Sequence, residues 1–229
     1  MSKRPSESLR LLEEYSQAHG VSGHEDAVRA IFVREMRGRA LTADGLGGVL
    51  AAPARPGKGP RVVLTAHMDE IGFLVQSVTP DGHLRLTPVG GWPDGVLAAQ
   101  RLRVWARAVR KEFVGVVAAL PPHQGGAQAA SADKVLVDIG ARSAESVARL
   151  GIRPGDPVAP EGPFSALAEP GLYAAKAFDN RAGMTALTLA VRELDAAPPA
   201  CEALAVATVQ EEVGCRSEEH TSELQSRVD

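Results

Sequence analysis

Three short polar segments have the residue types and the setting that metal or acid–base chemistry needs. The first, residues 67–70 (His-Met-Asp-Glu), directly follows the apolar run 62–64. Open α/β sheets place ligand groups where strands end, and residues two apart on a strand share a side. His67 and Asp69 can therefore face one site, where the imidazole would coordinate a metal such as Zn²⁺ and the carboxylate would orient it. Taken alone, the same pattern fits a surface turn equally well.

The second segment, residues 178–183 (Phe-Asp-Asn-Arg-Ala-Gly), opens a helical pattern. Asp179 or Asn180 could simply be the N-cap of that helix, since both residue types accept hydrogen bonds from its first backbone N–H groups. A carboxylate also has two oxygens, so Asp179 could instead bridge two metal ions about 3.5–4 Å apart. The sequence leaves both interpretations open.

The third segment, residues 210–214 (Gln-Glu-Glu-Val-Gly), follows the apolar strand 204–209. Burying unpaired charge is costly, so two adjacent carboxylates do not suit a strand core. They could mark a solvated strand end, or one glutamate could bind a metal while the other transfers a proton. Neighbours on a regular strand point to opposite faces. Glu211 and Glu212 can therefore serve one site only if the strand ends there, as Gly214 permits.

The elements that must position these segments form an α/β pattern with a β-rich interruption. Apolar spacing predicts a helix over 6–18 and a second one through Val28, Ile31, Phe32 and Met36, after a capping box made by Ser22 and Glu25. Closely spaced β-like runs then continue to about residue 163, which predicts a small barrel or sandwich. The predicted strands are 49–52, 61–66, 73–78, 84–89, 102–108, 113–120, 135–139 and 204–209, and the further helices are 144–150 and 181–194.

The economical arrangement is a β-rich domain inserted into an α/β domain. We assign residues 1–70 and 166–215 to the α/β domain, 71–165 to the insertion and 216–229 to a separate tail. Residues 216–226 lack apolar periodicity and are identified as the in-frame translation of a common sequencing adapter. We therefore expect the tail to be an artefact and exclude it from the reasoning about fold and function.

The composition argues against several classes of protein. The formal net charge is −3, with both signs spread along the chain, whereas a nucleic-acid binder usually carries a basic stripe. No apolar run approaches the roughly 20 residues that span a bilayer, and the N-terminus does not look like a secretory signal. The two cysteines, Cys201 and Cys215, favour a reducing cytoplasm over a disulfide framework. We expect a cytoplasmic protein with neither nucleic acid nor membrane as a partner.

Together the motifs resemble the TET-type aminopeptidases, the glutamyl-aminopeptidase-like metallopeptidase family whose members are sometimes labelled endoglucanase. The resemblance is spread over roughly residues 9–215, and the order and spacing of the motifs make it specific. The segments that carry it are 22–25 (SGHE), 44–48 (DGLGG), 66–73 (AHMDEIGF), 89–92 (VGGW), 137–141 (VDIGA), 178–181 (FDNR) and 210–214 (QEEVG). It implies an α/β fold: an αβα metallo-aminopeptidase-like catalytic domain, incomplete here, with an inserted β-barrel-like dimerisation domain. Dimers formed through that domain would build a hollow tetrahedral dodecamer.

The resemblance also implies a role for each candidate residue. His67 would bind one metal ion, Glu212 would bind the other, and Asp179 would bridge them. Glu211 would be the general base that takes a proton from the water between the metals, and Asp69 would orient His67. The cofactors would be two divalent ions, Zn²⁺ or Co²⁺ or else Mn²⁺. The substrates would be peptides, cleaved after their N-terminal residue.

The sequence departs from the family pattern near its end. Residues 216–217 (Arg-Ser) stand where the family continues Arg-Gly-Ala, and the family's downstream Asp and His ligands are absent. His67, Asp179 and Glu212 are the ligands that remain. We therefore expect the complete gene product to be an aminopeptidase and this chain by itself to be inactive.

Two other classes of function compete with this interpretation. A glycoside hydrolase would use a pair of carboxylates, but these should flank the scissile bond at about 5–9.5 Å and need no metal. The adjacent Glu211 and Glu212 fit that geometry poorly. A non-catalytic assembly protein could keep the β-rich domain and lose the chemistry, yet it would have no reason to retain all five candidate residues. Chelator sensitivity and metal content separate these alternatives.

Overall fold

The computed structural model describes residues 6–55, 57, 59–93, 95–118, 132 and 135–214. The chain divides into two compact units. The first contains the chain up to Glu70 and again from Gly162, and the second contains Ile71–Glu161.

Four helices and twelve strands are formed by the described residues. The helices are α1 (Glu7–Gln17), α2 (Asp26–Glu35), α3 (Ala144–Arg149) and α4 (Phe178–Ala196). The strands are β1 (Ala40–Ala43), β2 (Val49–Ala52), β3 (Arg61–His67), β4 (Gly72–Val78), β5 (Leu84–Val89), β6 (Arg101–Ala106), β7 (Lys111–Val117), β8 (Leu136–Asp138), β9 (Pro157–Pro160), β10 (Ser165–Ala166), β11 (Tyr173–Ala174) and β12 (Glu202–Thr208). None of these helices combines the length and the apolar character that crossing a bilayer requires.

The first unit is built on a four-stranded sheet in the order β1-β2-β12-β3. Strand β12 runs antiparallel to β2 and parallel to β3. The parallel register pairs Thr208 with His67, and the backbone N–H of Met68 donates to the Thr208 carbonyl at 2.8 Å. The carboxyl ends of β3 and β12 therefore lie side by side, and the two polar segments that follow them leave the sheet at one edge.

Alternation along the strands gives this sheet two different faces. Helices α1, α2 and α4 pack against the face that carries small residues such as Ala51, Ala66 and Ala205. The opposite face carries a smaller cluster of Leu50, Leu204 and Val206. The αβα arrangement implied by the resemblance would place helices on both faces, and among the described residues they cover one.

The predicted capping box at the start of α2 is wrong. The N-cap residue is Glu25, whose side chain makes no capping hydrogen bond. Ser22 instead donates to Asp69, and Glu25 accepts from the distant Gln210 N as well as from Gly23 N. A capping box requires only that the two side chains exchange bonds with nearby backbone N–H groups, and here better partners in the folded chain claim them. By contrast, Ser6 caps α1, accepting from Leu9 N at 3.4 Å.

The second unit is a closed barrel with the strand order β4-β5-β8-β7-β6-β9, so the predicted small barrel is confirmed. Its core is a cluster of buried aliphatic and aromatic side chains that includes Phe73, Leu84, Leu102 and Val137. Strand β9, which completes the barrel, was missed because it begins and ends with proline (Pro157–Pro160), a residue that usually argues against a strand.

Candidate metal centre

His67 lies at the carboxyl end of β3 with its imidazole between carboxylates. Its Nε2 atom is 3.1 Å from Asp179 Oδ1 and 3.9 Å from Glu211 Oε2. Its Nδ1 atom, on the opposite side of the ring, is 3.3 Å from Asp69 Oδ1. That contact lacks hydrogen-bond geometry, so within the described chain Nδ1 is a buried nitrogen without a hydrogen-bond partner. The ring thus directs Nε2 towards the acidic groups and Nδ1 towards Asp69.

Asp69 is fully buried and accepts three hydrogen bonds. The Ser22 hydroxyl donates to Oδ2 at 2.6 Å. The backbone N–H groups of Glu211 and Glu212 donate to Oδ1 and Oδ2 respectively, each at 3.0 Å. A buried carboxylate needs such donors because burial without them is costly. The same carboxylate therefore contacts His67 and holds the turn that carries the two glutamates.

Glu211 and Glu212 can serve one site because β12 ends at Thr208 and the chain turns. Gln210 has a positive φ of 58°, and Glu211–Val213 form a single 3₁₀ turn that ends at Gly214. One ligand atom each from His67, Glu211 and Glu212 lie within 4.8 Å of one another. The bend that the sequence required is thus present.

Asp179 stands at an irregular start of helix α4. Asp179 and Asn180 have non-helical φ/ψ angles, and the peptide bond between them is cis. The Asn180 side chain accepts from Gly183 N at 3.0 Å, which makes it the cap of the regular part of the helix. The Asp179 side chain is 86% exposed and is left to approach His67 Nε2. All five candidate residues are therefore brought together in the first unit.

The charges in this cluster are unbalanced, because four carboxylates surround one imidazole. Burial of His67 lowers the pKa of its imidazole, but Asp69, Glu211 and Asp179 outweigh burial and leave this pKa above its ordinary value. Burial raises the pKa of Glu212, and the neighbouring carboxylates add to that effect. Burial also raises the pKa of Asp69, yet the neighbouring His67 imidazole and the hydrogen bonds from Ser22 and the turn reverse this and lower it. Such a cluster attracts a cation.

The donor set fits a divalent transition-metal ion. Zn²⁺ binds His nitrogen and carboxylate oxygen at about 2.0–2.2 Å, so two ligand atoms of one ion lie at most about 4.4 Å apart. The ligand atoms of His67, Glu211 and Glu212, all within 4.8 Å of one another, are close to that spread. Geometry alone would allow Glu211 as a ligand, whereas its role as a base comes from the family resemblance.

Three buried charged residues, Glu70, Lys176 and Arg181, form ion pairs next to this cluster, and the sequence did not suggest a role for them. Lys176 Nζ donates to Glu70 Oε1 and Oε2 at 2.7 and 2.9 Å, and Arg181 Nη2 lies 3.5 Å from Glu70 Oε1. All three side chains are at most 3% exposed. The available signal was a charged residue, Lys176, set among apolar neighbours in Ala-Ala-Lys-Ala-Phe. Ser22 and Glu25 were noticed, but as a helix cap.

The chain matches the M42 glutamyl aminopeptidase family over residues 47–227. This match covers most of the chain, which therefore belongs to that family, and the resemblance seen in the motifs is confirmed. The match extends into residues 216–229, which were interpreted above as foreign. Residues 215–229 lie outside the described part of the chain, so that interpretation stays a prediction.

Individual relatives agree with this assignment. The lysyl aminopeptidase of Pyrococcus furiosus is 35% identical over 218 residues, covering 90% of this chain and 60% of the relative. The structure of a TET aminopeptidase from a marine-sediment Thaumarchaeota archaeon has a TM-score of 0.88 at 33% identity, covering 96% of this chain and 63% of that one. The Pyrococcus horikoshii TET1 peptidase, described as able to assemble into a tetrahedron or a large octahedral shell, has a TM-score of 0.83 at 30% identity, with 93% and 64% covered. The chain thus spans less than two thirds of the length of these relatives.

Proposed function

We propose that the whole protein is a metal-dependent aminopeptidase whose metal ligands include His67, Asp179 and Glu212. The observation that carries the proposal is the position of the His67 imidazole, whose Nε2 atom faces the carboxylates of Asp179 and Glu211 where β3 and β12 end side by side. Membership of the M42 family supports the same activity. Two divalent ions, Zn²⁺ or Co²⁺ or else Mn²⁺, would polarise the substrate carbonyl and lower the pKa of the attacking water.

The residues of this chain have distinct tasks in the proposal. Glu211 is one third exposed and 3.9 Å from His67 Nε2, so its carboxylate can reach both the site and solvent. It takes a proton from the attacking water and can return it to the leaving amine, as a general base and then acid. Asp69 is fully buried and contacts Nδ1 of His67. This contact orients the imidazole ring so that Nε2 faces the site.

The proposed substrates are peptides with a free N-terminus. One relative is named a lysyl aminopeptidase and the family a glutamyl aminopeptidase, so members of this family are named for different N-terminal residues. We further propose homo-oligomers, with dimers formed through residues 71–165 and a dodecamer built from them, in line with the tetrahedron described for a relative. A cytoplasmic location, without nucleic acid or membrane as partner, rests on composition.

A glycoside hydrolase is disfavoured by the position of the two glutamates. Glu211 and Glu212 share one 3₁₀ turn and converge with an imidazole. Paired glycosidase carboxylates flank the scissile bond about 5–9.5 Å apart and do not need such a ligand. A non-catalytic role would leave the accumulation of charge around His67 without a purpose.

The test combines metal binding with hydrolysis. Zn²⁺ or Co²⁺ titrated calorimetrically into the chain is expected to bind, and His67→Ala should weaken binding beyond the roughly 10–100-fold that outer-shell changes cause. His83→Ala is the matched control, because His83 pairs with Asp81 on an exposed turn of the barrel unit. Equal affinities in the two variants would refute the site.

The role of Glu211 needs the whole protein and an aminoacyl chromogenic substrate. Glu211→Gln keeps a neutral oxygen but cannot take a proton. We expect its turnover to fall by roughly 10²–10⁴-fold with metal affinity little changed. If metal affinity collapses instead, Glu211 is a ligand and the assignment as base is wrong.

A further inference from the structure

We propose that Ser22 and Glu25 are positioning residues that hold the acidic turn of residues 210–212 in its metal-binding shape. The inference rests on the proposed function, because the turn carries Glu211 and Glu212. The Ser22 hydroxyl donates to Asp69, and the Glu25 carboxylate accepts from Gln210 N. They act through Asp69 and through the backbone of the turn.

Three successive backbone N–H groups of the turn are bonded to two buried carboxylates. Gln210 N donates to Glu25 Oε1 at 3.2 Å. Glu211 N and Glu212 N donate to the two oxygens of Asp69, each at 3.0 Å. Strand β12 has already ended at Thr208, so the sheet ladder no longer fixes these groups. The shape of the turn therefore depends on where the two carboxylates are held.

Ser22 fixes one of these carboxylates. Its hydroxyl donates to Asp69 Oδ2 at 2.6 Å, and Ser22 and Asp69 are 8% and 0% exposed. Hydrogen bonds to a buried charged group are stronger than neutral ones. Oδ2 also accepts a hydrogen bond from Glu212 N. Rotation of the Asp69 carboxylate would move the turn, and the bond from the Ser22 hydroxyl limits that rotation.

Glu25 fixes the other end of the turn. It is 4% exposed, and its Oε1 atom accepts from Gly23 N at 2.7 Å as well as from Gln210 N. Gln210 has a φ of 58°, a left-handed conformation that residues other than glycine rarely adopt. Such a conformation persists only where the surroundings determine it. The Glu25 carboxylate supplies that constraint from 185 positions away along the chain.

The backbone of residues 22–25 favours the bond between the Glu25 carboxylate and the turn. Gly23 has a φ of 83°, which turns its N–H towards the Glu25 carboxylate. Glu25 is the first residue of the turn into α2, yet its side chain does not cap the helix. The carboxylate of the N-cap residue therefore bonds to Gln210 N and leaves α2 without a side-chain cap.

The test measures amide hydrogen exchange in the metal-free chain, followed by mass spectrometry of peptides that cover residues 209–214. Ser22→Ala and Glu25→Ala are expected to speed exchange there by about tenfold or more, the effect of losing a bond to a charged group. Ser22→Thr and Glu25→Gln keep the donor and the acceptor and should remain near the parent rate. Ser16→Ala is the control, because this buried serine bonds to the Glu13 carbonyl in its own helix.

Co²⁺ affinity and the visible spectrum of bound Co²⁺ form the second readout. Ser22→Ala and Glu25→Ala should each weaken binding by about 10–100-fold and shift the spectrum, whereas Ser16→Ala should change neither. Exchange rates in Ser22→Ala and Glu25→Ala that equal the parent rate would overturn the inference, as would fast exchange in the conservative variants. If the parent chain binds no metal while the exchange rates behave as expected, the proposed metal site fails in this chain and the positioning role stands.

Discussion

Lys176 is a buried cation that pairs with Glu70, the residue directly after Asp69 in the sequence. Its Nζ atom donates to both oxygens of Glu70 and to the Ala18 carbonyl at 3.0 Å. Replacing such a pair with apolar residues is often neutral, but removing one partner strands the other charge in a low dielectric. Each partner is therefore needed mainly because its loss would leave the other charge buried and unpaired.

Lys176→Met should lower the free energy of unfolding by about 3 kcal/mol, since Glu70 loses its nearest cation. Arg181, 3.5 Å from Glu70, remains and keeps the loss near the lower end of the usual range. Urea denaturation followed by circular dichroism measures the change.

The control for this prediction is an exposed ion pair. Arg10→Met removes the pair with Glu14 on α1, where both side chains are substantially exposed, and should cost less than about 1 kcal/mol. If Lys176→Met costs no more than Arg10→Met, the buried pair has no structural role.

Helix α4 shows how one element can serve both stability and the site. Its regular part is capped by Asn180, and this leaves the neighbouring Asp179 to face His67. The two interpretations that the sequence left open, a cap or a ligand, are thus divided between adjacent residues.

Asn180→Ala should lower the free energy of unfolding by about 1 kcal/mol, because Gly183 N loses its acceptor. It should also weaken metal binding, since the cap fixes the residue next to Asp179. Calorimetric titration with Zn²⁺ and thermal unfolding give the two quantities.

Ser143→Ala is the matched control, since Ser143 caps α3 in the barrel unit by accepting from Ser146 N. It should cause a similar loss of stability and leave the metal affinity unchanged. An Asn180→Ala protein with parental metal affinity would show that the cap does not position Asp179.

At the scale of the whole molecule, each unit has its own hydrophobic core. The barrel of residues 71–161 encloses one cluster of buried side chains, and the three helices on the sheet of the first unit enclose another. A closed barrel also leaves no unpaired strand edge. These are the features of a segment that folds by itself.

Residues 71–161 expressed alone should therefore unfold cooperatively on heating. Leu84 is fully buried in the barrel core, so Leu84→Ala should cost about 2–5 kcal/mol in the isolated segment. Differential scanning calorimetry measures both. Broad, non-cooperative melting of the segment would mean that the barrel depends on the rest of the chain.

Much of the fold followed from local patterns. Helical spacing located α1, because burial on one face selects apolar residues at intervals of 3.6. Short apolar runs bounded by turn residues located the strands around the site and most of the barrel. Strands β1, β10 and β11, which the sequence does not predict, carry no such pattern. All four residues of β1 are exposed, and β10 and β11 have two residues each.

The sequence by itself determined which groups could do chemistry, since His67, Asp69, Asp179, Glu211 and Glu212 are recognisable by type and by their position at element ends. Only the tertiary structure decided which of these ends meet, because parallel pairing of β3 with β12 joins residues more than 140 positions apart. It also decided that Ser22 and Glu25 bond to the site rather than cap a helix. The physical reason is that a side chain's hydrogen-bonding capacity is local, whereas its partner is chosen by the whole folded chain.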